Sequence, residues 1–413
     1  MTADLQPELA PMDTVLPFAP ELPFPPKQKK PADPLTKAIN DLAERWMATL
    51  PDAPTVFSPA GVWPLLAILA DAATGAVADD LKEALCYHPT DGTGALKAAI
   101  KVLDWLRETP GLNGAIGVWI RRTLSVKKEW LDRVPATSRG ILHGAGDKAK
   151  LDIWTRENTD GLIDEFPCEA ENLGQFILAS TIVLQTTWLD MFEPEGQSQL
   201  VRTTQGLDIV RSNGQVTVVR IEGKAGEYSS KPKHDVYLVL GIKGEPPSTV
   251  LGKGLSLIRH TPKKTTYEQA KRLSGPGISV RQVERHEPPD DGRPFVTVYT
   301  HAFEVTGEHE LVGNAVFGLQ RAVEPGSHFP CIADGELGID GGSQVAVARF
   351  TESGFSAAAV SDPCWFGSFA DPNGRATCID VKFKRAFGFL AMDRKTGVVT
   401  FGGWVTNKNL IRD

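Results

Sequence analysis

Two cysteines near the end of the chain, Cys364 and Cys378, are the residues whose type could support covalent chemistry. Either is a candidate thiol nucleophile if the fold brings a histidine close enough to take its proton. The eight histidines are scattered along the sequence. His301 and His309 flank a strand end with no cysteine beside them, which suits surface or hydrogen-bonding roles better than metal ligation. The carboxylates of ERHEPPDD (residues 284–291) read as a solvated loop broken by proline. The chain has no HExxH, no paired CxxC, no Walker loop and no GxGxxG. No cofactor and no metal are therefore expected. Cys364 itself sits near the end of a different kind of feature, TESGFSAAAVSDPCW (351–365). It has neither a helical stripe nor strand alternation. A run kept this small is either a linker or a segment that must enter something packed.

The elements that would position these residues have ample material. With 413 residues, 41% of them hydrophobic, the chain can bury one large core or two ordinary ones. A net charge of −7 gives no electrostatic footprint for nucleic acid. The short basic clusters at 27–30 and 231–234 read as solvated loops. No apolar run is long enough to span a bilayer, and the first thirty residues lack the basic start and apolar core of a secretory signal. A cytoplasmic location with no membrane partner is the expectation. Five cysteines at irregular spacing fit reduced thiols, with a pairing of Cys364 and Cys378 across their loop as the alternative.

Nine prolines fall within the first 34 residues, which predicts an extended, disordered tail over 1–34 and a single domain over 35–413. Leu35, Ile39, Leu42, Trp46 and Leu50 recur at helical spacing. Ser58 and Pro59 open a second, largely buried helix, and Gly75 can end it. Further helices are predicted over about 79–85 and 95–107, and a strand over 115–120. LDIWTRENTDGLIDEF (151–166) reads as a helix end with a turn at Asp160 and Gly161. FILASTIVLQTTW (176–188) is β-branched and apolar on both faces, as in a central strand covered on two sides. Beyond about residue 216 strands dominate. Helices first and strands later, without regular alternation, predict an α+β protein rather than a doubly wound sheet.

Five segments, in order along the chain, together resemble the serpin family, in an atypical, bacterial-looking form. FSPAGVWPLLAILADAATG looks like the family's second helix. Trp154, Thr159, Gly161 and Ile163 match a Trp–x4–Thr–x–Gly–x–Ile segment. The strand ending at Trp188 matches the central sheet strand. Glu352, Gly354 and Ala357–Ala359 match the hinge of the reactive loop. Phe383, Phe387, Phe389, Gly397, Phe401 and Gly402 match the C-terminal signature.

The resemblance implies a fold of N-terminal helices, a large, mainly antiparallel central sheet and C-terminal strands. It also implies an exposed reactive loop over about 352–382. A target serine or cysteine protease cleaves such a loop and becomes an acyl-enzyme while the loop inserts into the main sheet. The inhibitor, expected to be a monomer, needs no catalytic residue of its own. Family convention puts the scissile bond at Ser368–Phe369, with Arg375 as the alternative bait. An inserting strand sends alternate side chains into the covered face, so Ala357 and Ala359 would point inward with Ala358 outward. Phe355, where the family prefers threonine or serine, shares the inward parity and predicts overpacking of about 1–3 kcal/mol on insertion. Pro363 would lose a ladder bond, and Trp365 is the next inward residue.

The family's hydrogen-bonded switch under the sheet uses two serines, an asparagine and a histidine. Those positions align with Ser58, Gly61, Ser180 and Gln344, so only the first is kept. The lysine that usually pairs with the hinge glutamate aligns with Ala302, leaving Glu352 without that partner. Three functions follow: a suicide protease inhibitor, a non-inhibitory binder of a small molecule or protein, or an enzyme built on the scaffold.

Overall fold

The helical spacing of Leu35, Ile39, Leu42 and Trp46 is realised in α1 (Pro34–Ala48). The Asp33 side chain caps it by accepting from Thr36 N at 3.1 Å. Pro34 takes the first position, where a missing N–H costs nothing. Ile39, Leu42 and Trp46 are buried; each such side chain contributes about 1.5–3 kcal/mol by leaving water. The structure is a computed structural model that describes residues 33–89, 91–166, 174–196, 199–206, 209–224, 229–260, 267–285, 294–355 and 374–411. The tail expected over 1–34 lies outside these residues, apart from its last two.

A short β1 (Thr55–Phe57) leads into α2 (Pro59–Ala72). Ser58 caps α2, accepting from Gly61 N at 3.2 Å. The helix is buried along nearly its whole length and accommodates Pro64 in its interior. Gly75, expected to end α2, instead opens α3 (Gly75–Leu85) with φ of 60°. Next come α4 (Ala95–Glu108), β2 (Leu112–Arg121), α5 (Lys128–Arg133), β3 (Arg139–Leu142) and α6 (Lys148–Asn158). At the end of α6, Thr159 Oγ1 donates to Thr155 O at 2.9 Å and accepts from Ile163 N at 3.2 Å. Asp160 and Gly161 then make the expected turn with left-handed φ of 51° and 73°.

β4 (Phe176–Leu184) is buried at every position, as its two-sided apolar pattern predicts. It is followed by β5 (Thr186–Thr187), β6 (Glu193–Glu195), β7 (Gln199–Thr204), β8 (Val210–Ser212), β9 (Thr217–Lys224) and β10 (Pro232–Leu240). Two helices, α7 (Pro247–His260) and α8 (Tyr267–Lys271), precede β11 (Ile278–Arg285), β12 (Phe295–His301) and β13 (Phe303–Glu310). The chain closes with β14 (Gly341–Phe350), β15 (Gly354–Phe355), β16 (Gly374–Lys382), β17 (Phe387–Asp393) and β18 (Val399–Val405).

These strands form three sheets, and the α+β class holds. The central sheet runs β3-β2-β4-β14-β15-β5, with β13 on the other edge of β14. A second sheet runs β1-β18-β17-β10-β9-β8, and a third β11-β16-β12-β7-β6. β4 and β14 are parallel and paired directly, from Ile177 with Gly341 to Val183 with Val347. Their seam matters below. On one face of the central sheet, Trp154 of α6 packs edge-on against Trp119 of β2 at 4.8 Å. The other face packs on the main core, which includes α1 and α2. No helix among the described residues is long and apolar enough to cross a membrane.

Candidate functional site

The hinge begins where β14 ends. The chain reverses through Thr351–Gly354, with Thr351 N donating to Gly354 O at 2.9 Å. Gly354 N donates back to Thr351 Oγ1 at 3.2 Å. Three carbonyls of this turn accept hydrogen bonds from one neighbouring segment. Trp188 Nε1 donates to Thr351 O at 2.9 Å, Phe192 N to Glu352 O at 2.9 Å, and Trp188 N to Ser353 O at 2.8 Å. The buried Trp188, just beyond β5 and past the end of β4 at Leu184, is thus the clamp on the turn. Glu352 forms no ion pair among the described residues, and Ala302, where a lysine was sought, lies between β12 and β13.

Beyond the turn, β15 lies antiparallel to β14, with Phe355 opposite Phe350. It also lies antiparallel to β5, with Gly354 opposite Thr187. The hinge has therefore already started a strand at the mouth between β14 and the end of the β4–β5 segment. Phe355 is fully buried. Its ring lies 5.6 Å from that of Phe389 and 6.4 Å from that of Trp188. The inward parity expected for Phe355 is correct. Before any insertion, these aromatics enclose the ring. Ala357, Ala358, Ala359, Pro363, Cys364, Trp365, Ser368 and Phe369 lie outside the described residues.

Under the seam, Ser58, Gly61, Ser180 and Gln344 come together. Gln344 and Ser180 are direct register partners across it. Gln344 Oε1 accepts from Ser58 N at 2.7 Å, and its Nε2 donates to Ser58 O at 2.9 Å and to Ser180 Oγ at 3.2 Å. Ser58 Oγ donates onward to Thr400 O at 2.6 Å. Gly61 is small for a reason: a Cβ there would stand 2.7 Å from Ser180 Oγ. The switch that alignment counted as mostly lost is a connected network in which Gln344 bridges both strands and the start of α2. His309, opposite Gln344 on β13, bonds through Nε2 to Thr55 Oγ1 at 3.1 Å and Val56 O at 3.0 Å. Burial holds its pKa below the usual value.

The chain re-enters at β16. Arg375 is exposed on it, opposite Glu284 of β11. Cys378, weighed as a nucleophile, is 1% exposed. Burial pushes its thiol pKa up, which describes an inert thiol rather than a reactive one. Its Sγ lies 3.3 Å from Asp380 Oδ1. Asp380 accepts two bonds from Arg281, at 2.6 and 3.2 Å. Sequence reasoning passed over β11, Arg281, Asp380 and Thr351. For Asp380, an acid within the otherwise apolar ATCIDVKF was the available signal.

Comparison with known proteins agrees with this geometry. Residues 37–200 match the family model Serpin (serine protease inhibitor). Serpin-ZX of Arabidopsis thaliana is 24% identical over 200 residues, covering 45% of this chain. The match spans 49% of that protein, about half its length. Among solved structures, Serpin48 of the insect Tenebrio molitor superposes with a TM-score of 0.63 at 17% identity, over 90% of this chain and 98% of that one. Human thyroxine-binding globulin, solved in complex with its hormone, gives 0.64 at 17% identity, over 91% and 100%. The family model on residues 37–200 and the shared fold across nine-tenths of the length agree: this chain has the serpin fold.

Proposed function

We propose that the protein traps a serine or cysteine protease through cleavage of the segment between β15 and β16. The protease nucleophile bonds to the carbonyl carbon of Ser368 as the Ser368–Phe369 bond breaks, and the freed amine of Phe369 takes the proton. Arg375, the alternative bait, lies within β16 opposite Glu284, which favours the cut at Ser368. The acylated portion then enters the central sheet as a strand between β4 and β14. The shared fold does not decide this, since thyroxine-binding globulin has it too.

The observation that carries the reading is β15, already antiparallel to its neighbours on both sides. Continuing its register places Ala357 opposite Ala348, Ala359 opposite Ala346 and Pro363 opposite Gly342. Small residues would thus meet small residues on the buried face of β14. Pro363 would lose a ladder bond but meets no side chain.

The test is thermal unfolding before and after nicking the segment with a broad-specificity protease. A midpoint rise of about 10 °C or more is expected, because each kcal/mol gained shifts a large domain by about 2–4 °C. No rise contradicts the reading.

A further inference from the structure

One stretch of the central sheet has an open edge. β3 pairs with β2 only from Val118 with Arg139 onward. Residues 112–117 of β2 therefore have no strand on that side among the described residues. The register with β4 fixes which backbone groups face outward. Gln185 N donates to Gly111 O at 2.7 Å, and Arg121 N to Gln175 O at 2.7 Å. Both pairs lie on the register that sets Leu112 opposite Leu184, so the odd-numbered residues of β2 bond to β4. Bonded and non-bonded pairs alternate in an antiparallel ladder. The N–H and C=O of Gly114 accordingly point to the open edge, where Gly114 is exposed.

A cavity of about 250 Å³ opens beside this edge, between α4, β2, the Ala136–Ser138 turn and the end of α6. On the core side, Ile182, the partner of Gly114 on β4, forms its floor, with Leu103, Leu106, Leu112 and Ile116 around it. A Cβ at Gly114 would stand 2.8 Å from Thr181 O, so β2 has no side chain of its own with which to fill this hole. An apolar cavity of about 150 Å³ accepts a benzene ring, so there is room for one leucine- or phenylalanine-sized group. Asp104 on this side is already held by Arg107 at 2.6 Å. The opposite face of β2 carries charge without a counterion. There Asn113 Nδ2 donates to Asp160 Oδ2, and Glu157 stands in the last turn of α6. Both carboxylates are exposed, and neither forms an ion pair among the described residues.

We propose that the open edge of β2 takes up an extended segment of a partner protein in which an apolar residue lies between two basic ones. A strand added to an edge sends its side chains alternately to the two faces of the sheet. The residue opposite Gly114 shares its face and fills the hole. The residues before and after it face Glu157 and Asp160. Backbone bonds supply affinity, while the hole and the charges select the sequence. This site is independent of the insertion reading.

The test titrates full-length protein into a fluorescein-labelled peptide, Gly-Ser-Lys-Leu-Lys-Ser-Gly, followed by anisotropy. Copies are N-methylated at each of the three central residues in turn. Alternate N–H groups of an added strand face the edge, so the losses must alternate. Methylation either of the leucine alone or of each lysine alone weakens binding at least about tenfold, and the other set leaves it unchanged. The protein carrying both Glu157→Gln and Asp160→Asn, changes at exposed residues, binds about 3- to 10-fold more weakly and with less dependence on salt. No saturable binding up to about 1 mM protein overturns the proposal. Equal binding of all the methylated copies overturns it as well, because the hole then holds a side chain without the edge. Unchanged binding by the double variant removes the basic residues from the assignment and overturns it. Wild type that dimerises in sedimentation, with the peptide competing the dimer apart, assigns the edge to a second copy and overturns the partner.

Discussion

The segment 356–373 is held at its two ends in opposite ways. Its N-terminal end rests on two residues of strand and one enclosed ring, Phe355, beside a seam closed by the Gln344 bridge. Its C-terminal end is a nine-residue strand paired on both edges and gripped by Arg281. Under the proposed insertion the N-terminal end is the one to extend, because each further residue can add to a ladder already begun, and the C-terminal end is the one held.

The largest effect that can break this contrast is expected at Phe355. Phe355→Ala empties the enclosure formed with Trp188 and Phe389 and is expected to cost about 3–5 kcal/mol, read from denaturant unfolding. Phe355→Thr, which the sequence alone suggests as an aid to insertion, is expected to destabilise as well, since the ring is already seated. A neutral result would mean that the hinge is not anchored there.

Next is Gln344→Ala. It strips the Ser58 N–H of its partner, leaves Ser58 O to its backbone donors Gly61 N and Val62 N, and removes the side-chain bond to Ser180 Oγ. An expected loss of about 1–3 kcal/mol should come with faster amide exchange along β4 and β14, while β16 exchanges as before. Equal acceleration at β16 would show that the two ends are not independent.

The smallest effect is a pH dependence, shared between His309 and the buried His234 of β10. Burial depresses the pKa of His309, so the folded form binds this proton less readily than the unfolded chain. Its contribution is fully present above about pH 6.5 and is lost as the pH falls towards the lower folded value. Arg281, whose bonds to Asp380 raise its pKa further, stays charged throughout. Protection factors along β13 and β14, taken against the intrinsic exchange rate at each pH, should therefore fall on mild acidification, and His309→Gln should flatten the trend.

How much of this was legible in the sequence depended on the range of the forces involved. α1, α2 and β4 were readable because periodicity and capping are local, as Ser58 and the run 176–184 show. The parity of Phe355 was readable because strand alternation is local too. Its enclosure was not, because Trp188 and Phe389 reach it from remote parts of the chain. Gln344 looked like a lost switch residue because its replacement bonds to Ser58 and Ser180 exist only in three dimensions. β11 was passed over because Arg281, Gln282 and Arg285 break up the apolar alternation of ISVRQVER. Its strand character comes from pairing with β16, remote in the chain.

The central claim is that the cut segment becomes a strand between β4 and β14. A crystal structure of the protein nicked in the segment tests this most directly. The account predicts Ala357 and Ala359 paired with the Ala348 and Ala346 positions of β14, and Gln344 parted from Ser180. A nicked protein in which β4 and β14 remain paired from Ile177 to Val183 would contradict it.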